Sequence, residues 1–213
     1  SICAVYYNTR ELLRGCLDSI DQSQTRIVYE IIVVDNMSQD GSVEMVRSEY
    51  PSVRLIVNST NVGFTLANNQ ALHASEGRYV LWLNSDTVVL PGALDELVGF
   101  ADSHPDVGIW GPKVLNRDGT VQRQCHRGLP TPWATFCYVS GLARLFPKSK
   151  RFSRYLMTYI DEDQTQEVDA VSGACLMARS ELLDEIGFPD EEYVFSVDDL
   201  DWCYRAQEQG WKI

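Results

Sequence analysis

At the centre of the chain stands the segment Tyr79-Val80-Leu81-Trp82-Leu83-Asn84-Ser85-Asp86. Its first five residues are apolar and bulky, and a run of that length, closed by polar residues, is typical of a buried strand rather than of a helix. The strand is therefore expected to end at Asn84. In open α/β sheets, ligands bind outside the carboxyl ends of the strands. The segment thus predicts a buried central strand with polar groups at the end where ligands bind.

Asn84 and Asp86 are the polar side chains that this strand end would present. If the backbone stays extended, residues two apart point to the same side of the sheet. Such a pair would suit a divalent cation that bridges a diphosphate. The alternative is that Asp86 only caps the turn before Pro91 and Gly92. From these residues alone, the two interpretations are equally supported.

The residues before this segment alternate between strand and helix patterns. Apolar runs rich in β-branched residues predict strands at 2–6, 30–35 and 53–57. Capping residues and helical spacing of apolar side chains follow the first two runs, and a helix pattern at 65–74 follows the third. This alternation predicts an α/β fold with a mainly parallel sheet and helices on both faces.

Composition narrows the class of protein. The chain has 213 residues, 45% of them hydrophobic, which suffices for a core of its own and favours one domain. Neither a membrane span nor a signal peptide is visible, so we expect a soluble, cytoplasmic protein. The six cysteines include no C-x-x-C pair, so we expect neither disulfides nor zinc. A net charge of -12 argues against nucleic acid as a partner.

The predicted architecture often binds nucleotides, but the glycine-rich signatures of such sites are absent. The G-x-G-x-x-G fingerprint and the P-loop pattern are both missing, and the first strand-helix loop, Tyr7-Asn8-Thr9-Arg10, contains no glycine. A nucleotide would therefore have to be held by side chains and a metal ion, which is a role that acids at strand ends could fill.

A second concentration of acids, Asp198-Asp199-Leu200-Asp201, lies near the end of the chain. Three carboxylates in four residues repel one another, but the first turn of a helix favours negative charge. Capping and first-turn roles would explain two of the three. A carboxylate held beside a bound substrate could also take a proton from an attacking hydroxyl, which is general base catalysis.

Taken together, these motifs resemble family 2 glycosyltransferases with the GT-A fold, and within that family the bacterial rhamnosyltransferase-like enzymes. The resemblance covers nearly the whole chain except roughly residues 120–165. The stretches that carry it are Ala4-Val5-Tyr6-Tyr7-Asn8, Val33-Val34-Asp35-Asn36 with Ser38 and Asp40-Gly41, Asn61-Val62-Gly63-Phe64 with Asn68-Asn69, Leu83-Asn84-Ser85-Asp86, Val171-Ser172-Gly173-Ala174, Glu185-Ile186-Gly187-Phe188, and Asp198-Asp199-Leu200-Asp201-Trp202-Cys203 with Arg205 and Gly210.

The resemblance implies a single GT-A domain over residues 1–213. Residues 1–118 would form the nucleotide-sugar-binding half and residues 119–213 the acceptor-side half. The chain stops at Trp211-Lys212-Ile213, where the family continues with a metal-ligating histidine and further helices. On this basis we expect a truncated chain with weak transfer activity or none.

The same resemblance implies the residues of a nucleotide-sugar site. Asp35 would accept hydrogen bonds from the nucleobase. Asp86 would bind Mg²⁺ or Mn²⁺ as the acidic end of the D-x-D metal motif, with Asn84 in the first position. Asp199 would be the general base, with Asp198 as the runner-up. The other positions expected at the nucleotide sugar are Ala4, Tyr6, Asn8, Asn61, Gly63, Asn68, Ser85 and Gly173.

The reaction implied is inverting, metal-dependent transfer of a sugar from a UDP- or dTDP-linked donor, with rhamnose as a candidate sugar. The acceptor would be a glycan or a lipid-linked glycan in cell-surface polysaccharide synthesis. One alternative is a nucleotide-sugar-binding module without transfer activity. Another is a sugar-phosphate nucleotidyltransferase, but that class should show a glycine-rich first loop with a basic residue.

The charge of the chain is unevenly distributed. Seven basic residues and no acidic one lie between Thr120 and Ile160, interleaved with aromatic and aliphatic side chains. We refer to this stretch as the basic segment. We predict that residues 123–154 face a polyprenyl-linked acceptor and contact the membrane peripherally at its inner face. The alternative is an ordinary solvated loop whose aromatic side chains pack inward.

Overall fold

The computed structural model describes residues 1–193 and 197–213 of the chain. Four strands of its central sheet run parallel: β1 (Ile2–Tyr6), β2 (Ile31–Asp35), β3 (Arg54–Val57) and β4 (Tyr79–Asn84). The other two are β5 (Ile109–Trp110) and β8 (Cys175–Arg179), and β8 runs antiparallel to both of its neighbours, β4 and β5. Across the sheet the six strands lie in the order β3-β2-β1-β4-β8-β5.

Helices cover both faces of the sheet. One face is covered by α1 (Arg10–Asp21), α2 (Ser42–Glu49) and α4 (Ala93–Ser103). The other is covered by α3 (Phe64–His73), α7 (Ser180–Ile186) and α8 (Asp198–Glu208). The prediction of a mainly parallel sheet between two helical layers is confirmed.

The remaining helices and strands lie in the basic segment and next to it. A small antiparallel ribbon pairs β6 (His126–Arg127) with β7 (Ala170–Val171). Between these strands come α5 (Pro132–Val139) and the short α6 (Leu142–Leu145). The ribbon leads from the basic segment back to the sheet, since β8 follows β7 closely.

The strand β4 owes its apolar sequence to its position. It lies between β1 and β8, and its residues 79–83 are at most 7% exposed. Trp82 contributes to the core under α3 and α8, whereas Leu81 and Leu83 contribute to the core under α1 and α4. Because both faces of the strand are covered, apolar residues occupy successive positions instead of alternate ones.

The direction and position of β8 were not predicted. This strand comes from the second half of the chain and is inserted next to the central strand, with Leu83 opposite Cys175 and Tyr79 opposite Arg179. The strand-helix alternation predicts only parallel neighbours. Here the long connection leaves the end of β5 and re-enters the sheet at the same edge, where Cys175, the first residue of β8, pairs with Leu83 near the carboxyl end of β4, so β8 runs antiparallel.

The six cysteines are buried and free. Within residues 1–193 and 197–213, none of the helices combines the length and the apolar character that crossing a bilayer demands.

Candidate active site

A cleft of about 560 Å³ lies at the carboxyl ends of β1 and β4. The strand ends form one wall, and the ribbon of β6 and β7 and the first turn of α8 contribute to the other. The predicted site residues that line it are Tyr6, Asn61, Asn84, Ser85, Asp86, Gly173, Asp198 and Asp199. The tertiary fold therefore brings the strand-end motif and the C-terminal acid cluster into one cavity.

The backbone does not stay extended beyond Asn84. The carbonyl of Asn84 accepts hydrogen bonds from the Thr87 backbone N–H at 3.1 Å and from the Thr87 hydroxyl at 2.6 Å, which closes a turn. Asn84 and Asp86 nevertheless both line the cleft. The Asn84 Oδ1 atom is buried without a hydrogen-bond partner in the described part of the chain, and Asp86 is exposed. Two side chains thus offer oxygen atoms to a ligand.

These oxygens fit a hard divalent cation, which prefers oxygen ligands and keeps positions for phosphate and water. Among the residues that the structure describes, no three His, Cys, Asp or Glu side chains converge to hold a metal ion. Asp86 and Asn84 would therefore hold Mg²⁺ or Mn²⁺ only as part of a larger ligand set. A bound ligand and water would have to supply the missing oxygens.

Asp199 is fixed by three contacts. Its Oδ2 atom forms an ion pair with Arg127 Nη2 and accepts a hydrogen bond from the Gly173 backbone N–H at 2.9 Å. Its Oδ1 atom accepts one from the Leu200 backbone N–H at 2.8 Å. The residue also lies in the first turn of α8, where the helix dipole favours negative charge. These contacts hold the Asp199 carboxylate in one orientation at the cleft.

Asp198 is placed in a different environment. It is 3% exposed, and its carboxylate accepts hydrogen bonds from the Thr65 hydroxyl at 3.0 Å and from the Asp199 backbone N–H at 3.1 Å. Burial raises the pKa of Asp198 above its ordinary value, and the hydrogen bond from Thr65 opposes this shift. The two neighbouring carboxyl groups therefore have different surroundings, since Asp199 is paired with Arg127 whereas Asp198 accepts hydrogen bonds from Thr65 and from the backbone.

The raised pKa of Asp198 predicts a pH-dependent effect on stability. The unfolded chain loses this proton at lower pH than the folded chain, so Asp198 costs stability as the pH rises from about 4 through its folded pKa. Asp198→Asn keeps an acceptor for Thr65 and removes the charge. We expect denaturant unfolding to show a stability gain for this variant at pH 7 that shrinks toward pH 4. A constant difference across this range would contradict the prediction.

Arg127 is the main site residue that sequence analysis missed. It is one of the seven basic residues between Thr120 and Ile160, and its side chain lines the cleft with 13% of its surface exposed. Pairing of Arg127 with Ala170 in the ribbon places it beside Asp199. Its Nε atom is buried and has no hydrogen-bond partner among the described residues. No local signal distinguishes it from its neighbour Arg123, because only the ribbon decides which side chain enters the cleft.

Gly173 lies where the cleft meets the core. A Cβ atom at this position would lie 3.4 Å from the Trp82 ring and 3.7 Å from the Cβ atom of Asp199. The Gly173 backbone N–H also donates to Asp199. Gly173 is therefore closely packed against the core and also holds a side chain of the cleft. Trp82 and Phe64, with ring centroids 5.9 Å apart, add apolar surface to the same cleft.

Asn36 was also missed as a site residue, although it directly follows a predicted strand. Its side chain is 3% exposed and donates to Asn61 Oδ1 at 2.9 Å and to the Gly63 carbonyl at 3.2 Å. Its Oδ1 atom accepts from the Val62 backbone N–H at 3.0 Å. Asn36 therefore anchors the loop that presents Asn61 to the cleft.

Ala4 and Asp35, which are expected at the nucleotide sugar, do not line this cleft. Ala4 is 1% exposed and contributes to the core under α1, because alternate residues of β1 face that layer. Asp35 is also 1% exposed, and both of its carboxylate oxygens accept from the Ser38 backbone N–H, at 3.1 and 3.2 Å. In this structure Asp35 closes the turn after β2 and is not open to the cleft.

Asn8, Gly63 and Asn68 lie around the cleft without lining it. The Asn8 Oδ1 atom accepts from the Gln39 backbone N–H at 2.8 Å and so joins two strand-end loops. Gly63 has a φ of +91°, a conformation that favours glycine, just before α3 begins. Asn68 is buried within α3 and donates to the Phe64 carbonyl at 3.0 Å. These three residues therefore belong to the loops and the helix around the cleft and not to its lining.

Comparison with known proteins adds independent findings. Residues 1–187 match the family Glycosyl transferase family 2. The N-acetylglucosaminyl-diphospho-decaprenol L-rhamnosyltransferase of Mycobacterium tuberculosis is 27% identical over 222 residues, which cover 99% of this chain and 71% of that protein.

Two solved structures are similar in fold. TarS 1-349 of S. aureus in complex with UDP gives a TM-score of 0.62 at 19% identity and covers 95% of this chain. The mannosyltransferase PcManGT of Pyrobaculum calidifontis, in complex with GDP-Man and Mn²⁺, gives 0.65 at 20% identity and covers 99%. The matches cover 53% and 52% of those chains, so the present chain spans about half of their length. At these identities the likeness concerns the fold.

Proposed function

The chain belongs to glycosyl transferase family 2 and has the GT-A fold of its structural neighbours, and from this premise we propose that it is an inverting, metal-dependent sugar transferase. The donor is a UDP- or dTDP-linked sugar, with rhamnose as the candidate, and the acceptor is a glycan or a polyprenyl-linked glycan. The name of the mycobacterial relative supports a rhamnosyl donor and a lipid-linked acceptor.

One observation carries the proposal. The oxygens of Asn84 and Asp86 and the ion pair of Asp199 with Arg127 line the same cleft. A single displacement at a sugar carbon needs support for the leaving diphosphate and a base for the attacking hydroxyl. The strand-end residues suit the first role, and Asp199 suits the second.

The reaction would proceed as one displacement. Asp199 takes the proton of the acceptor hydroxyl as its oxygen forms a bond to the anomeric carbon, and the bond from that carbon to the diphosphate breaks with its electron pair on the diphosphate oxygen. A divalent cation at Asp86 and Asn84 would neutralise the charge of the leaving diphosphate. Attack opposite the leaving group inverts the anomeric centre without a covalent enzyme intermediate. Holding both substrates in line would supply much of the rate.

Arg127 acts in this proposal as a positioning residue. Its guanidinium forms an ion pair with the buried Asp199 and fixes one of its oxygens, while the other oxygen accepts a hydrogen bond from the Leu200 backbone N–H of α8. Removing one partner of such a buried pair leaves an uncompensated charge, which is more costly than removing both.

We therefore expect Arg127→Gln to lower the free energy of unfolding by about 3 kcal/mol. Arg127→Gln combined with Asp199→Asn should be more stable than the sum of the single changes predicts, by at least about 1 kcal/mol. Chemical denaturation of the four proteins of this double-mutant cycle measures the coupling. Arg123→Gln, in the same segment but outside the cleft, is the matched control. Additive effects of the two site substitutions would remove Arg127 from its proposed role.

The proposed function is tested by a panel of nucleotides and nucleotide sugars with and without Mn²⁺. A ligand that binds only the folded chain raises its apparent melting temperature by mass action. We expect pyrimidine diphosphates and their sugars to do so in a metal-dependent manner. Release of the nucleoside diphosphate in the presence of glycan acceptors then measures transfer. Binding without release would favour the alternative of a binding module, and absence of nucleotide binding would contradict the proposal altogether.

A further inference from the structure

The helix α5 buries its small side chains and exposes its large ones. Ala134 and Cys137, one turn apart, are 1% and 0% exposed, whereas Trp133 and Phe136 are 44% and 55% exposed. The hydrophobic effect favours the opposite arrangement in a helix that faces only water. The orientation therefore indicates a surface that meets something other than water.

The exposed side chains continue beyond α5 as one patch. The Trp133 ring lies 5.8 Å from Phe136 and 6.2 Å from Phe152, and Phe152 lies 5.1 Å from Phe146, measured between ring centroids. Leu145, next to Phe146, is 72% exposed. We refer to Trp133, Phe136, Leu145, Phe146 and Phe152 as the aromatic face. Trp133, Phe136, Leu145 and Phe146 are 44–72% exposed and Phe152 is half-buried, so most of these side chains do not pack inward as those of an ordinary solvated loop would.

Cations accompany the aromatic face. Arg144, Lys148, Lys150 and Arg151 are exposed, and within residues 1–193 and 197–213 none of the four forms an ion pair. The Arg151 guanidinium lies 5.5 Å from the centroid of the Trp133 ring, whose Nε1 atom donates to the Arg151 carbonyl at 3.0 Å. The charges are thus free to meet an anionic partner beside the aromatic rings.

We propose that the aromatic face and these four cations bind the surface of an anionic lipid bilayer. Aromatic side chains favour the boundary between headgroups and acyl chains, and basic residues near an anionic leaflet each add to the attraction. The whole chain has a net charge of -12, so the residues outside this face are acidic on balance, which orients the chain with this face toward the lipid and disfavours nucleic acid. The β6 strand connects the face to the cleft, since it ends at Arg127 a few residues before α5 begins. The proposal goes beyond the transfer reaction and does not depend on it.

Sedimentation with vesicles tests the proposal. The chain should sediment with phosphatidylglycerol-containing vesicles at low ionic strength, less so at high salt, and not with pure phosphatidylcholine. Lys148→Glu, Lys150→Glu and Arg151→Glu together should weaken this binding by at least about 10-fold. The matched control is Arg26→Glu, Arg47→Glu and Arg117→Glu, which changes the net charge equally at other exposed positions. Equal losses for both triple variants would overturn the proposal, as would failure of the unmodified chain to bind at low salt.

The fluorescence of Trp133 supplies a second readout, which reports whether the aromatic face lies at the lipid. Of the five tryptophans, Trp82, Trp110 and Trp202 are at most 4% exposed, and Trp211 is half-buried. Lipids with brominated acyl chains should therefore quench chiefly Trp133, and Trp133→Phe should bind vesicles but lose most of this quenching. Vesicle binding without quenching of Trp133 would overturn the proposal that the aromatic face contacts the lipid. Concentration-dependent dimerisation that shields Trp133 and prevents vesicle binding would instead assign the face to a second copy of the chain.

Discussion

Asp199→Asn should lower the rate of sugar transfer by at least about 100-fold while leaving donor affinity nearly unchanged. The substitution is nearly isosteric, and its single side-chain oxygen keeps an acceptor for one of the Gly173 and Leu200 backbone N–H groups, which donate to separate oxygens of the carboxylate at 2.9 and 2.8 Å. It removes the group that would take the proton of the acceptor hydroxyl. Release of nucleoside diphosphate with saturating acceptor measures transfer, and titration calorimetry measures donor affinity.

Asp198→Asn is the matched control for this experiment. The two residues are adjacent and both are buried, but Asp198 bonds to Thr65 and not to Arg127. We expect the control variant to retain transfer within about 10-fold of the unmodified chain. If Asp198→Asn is inactive and Asp199→Asn is active, the assignment of the base is reversed. Melting curves of both variants show whether a loss of rate reflects a loss of fold.

Asp86→Ala should weaken nucleotide binding in the presence of Mn²⁺ by at least about 100-fold, because the acidic metal ligand is lost. The side chain is exposed and lies in the turn after β4, so the fold should be unaffected. Calorimetric titration with UDP or dTDP, with and without Mn²⁺, separates metal-dependent binding of the nucleotide from metal-independent binding. Affinity without metal should change little.

Glu44→Ala provides the control for the loss of one exposed negative charge, since Glu44 lies on α2, away from the cleft. Its affinity for nucleotide and metal should equal that of the unmodified chain. Undiminished metal-dependent binding by Asp86→Ala would exclude Asp86 from the site. Asn84→Ala should show an intermediate loss, because its buried Oδ1 atom contributes an oxygen but no charge.

The sequence alone determined the framework of the fold. The apolar run at 79–83 and the strand-helix alternation before it predicted β1 to β4, their parallel pairing and the helices on both faces. These elements are predictable because their patterns are local: a strand covered on both faces needs successive apolar residues, and a helix between two strands needs one apolar side. The position of Asn84 and Asp86 at the edge of the sheet was predictable for the same reason, because the end of a strand determines where the next polar side chains lie.

Tertiary structure alone decided which of these residues share a cavity. The antiparallel insertion of β8 next to β4 brings Gly173 beside Trp82, and the ribbon of β6 and β7 turns Arg127 toward Asp199. Both arrangements depend on the connection through residues 111–169, and the local sequence pattern of this connection does not specify where or in which direction the chain returns to the sheet. Likewise, the sequence showed that aromatic and basic residues are interleaved in 123–154, but not which face of α5 is buried. That was decided by packing, because Ala134 and Cys137 are small enough to lie against the fold where Trp133 and Phe136 are not.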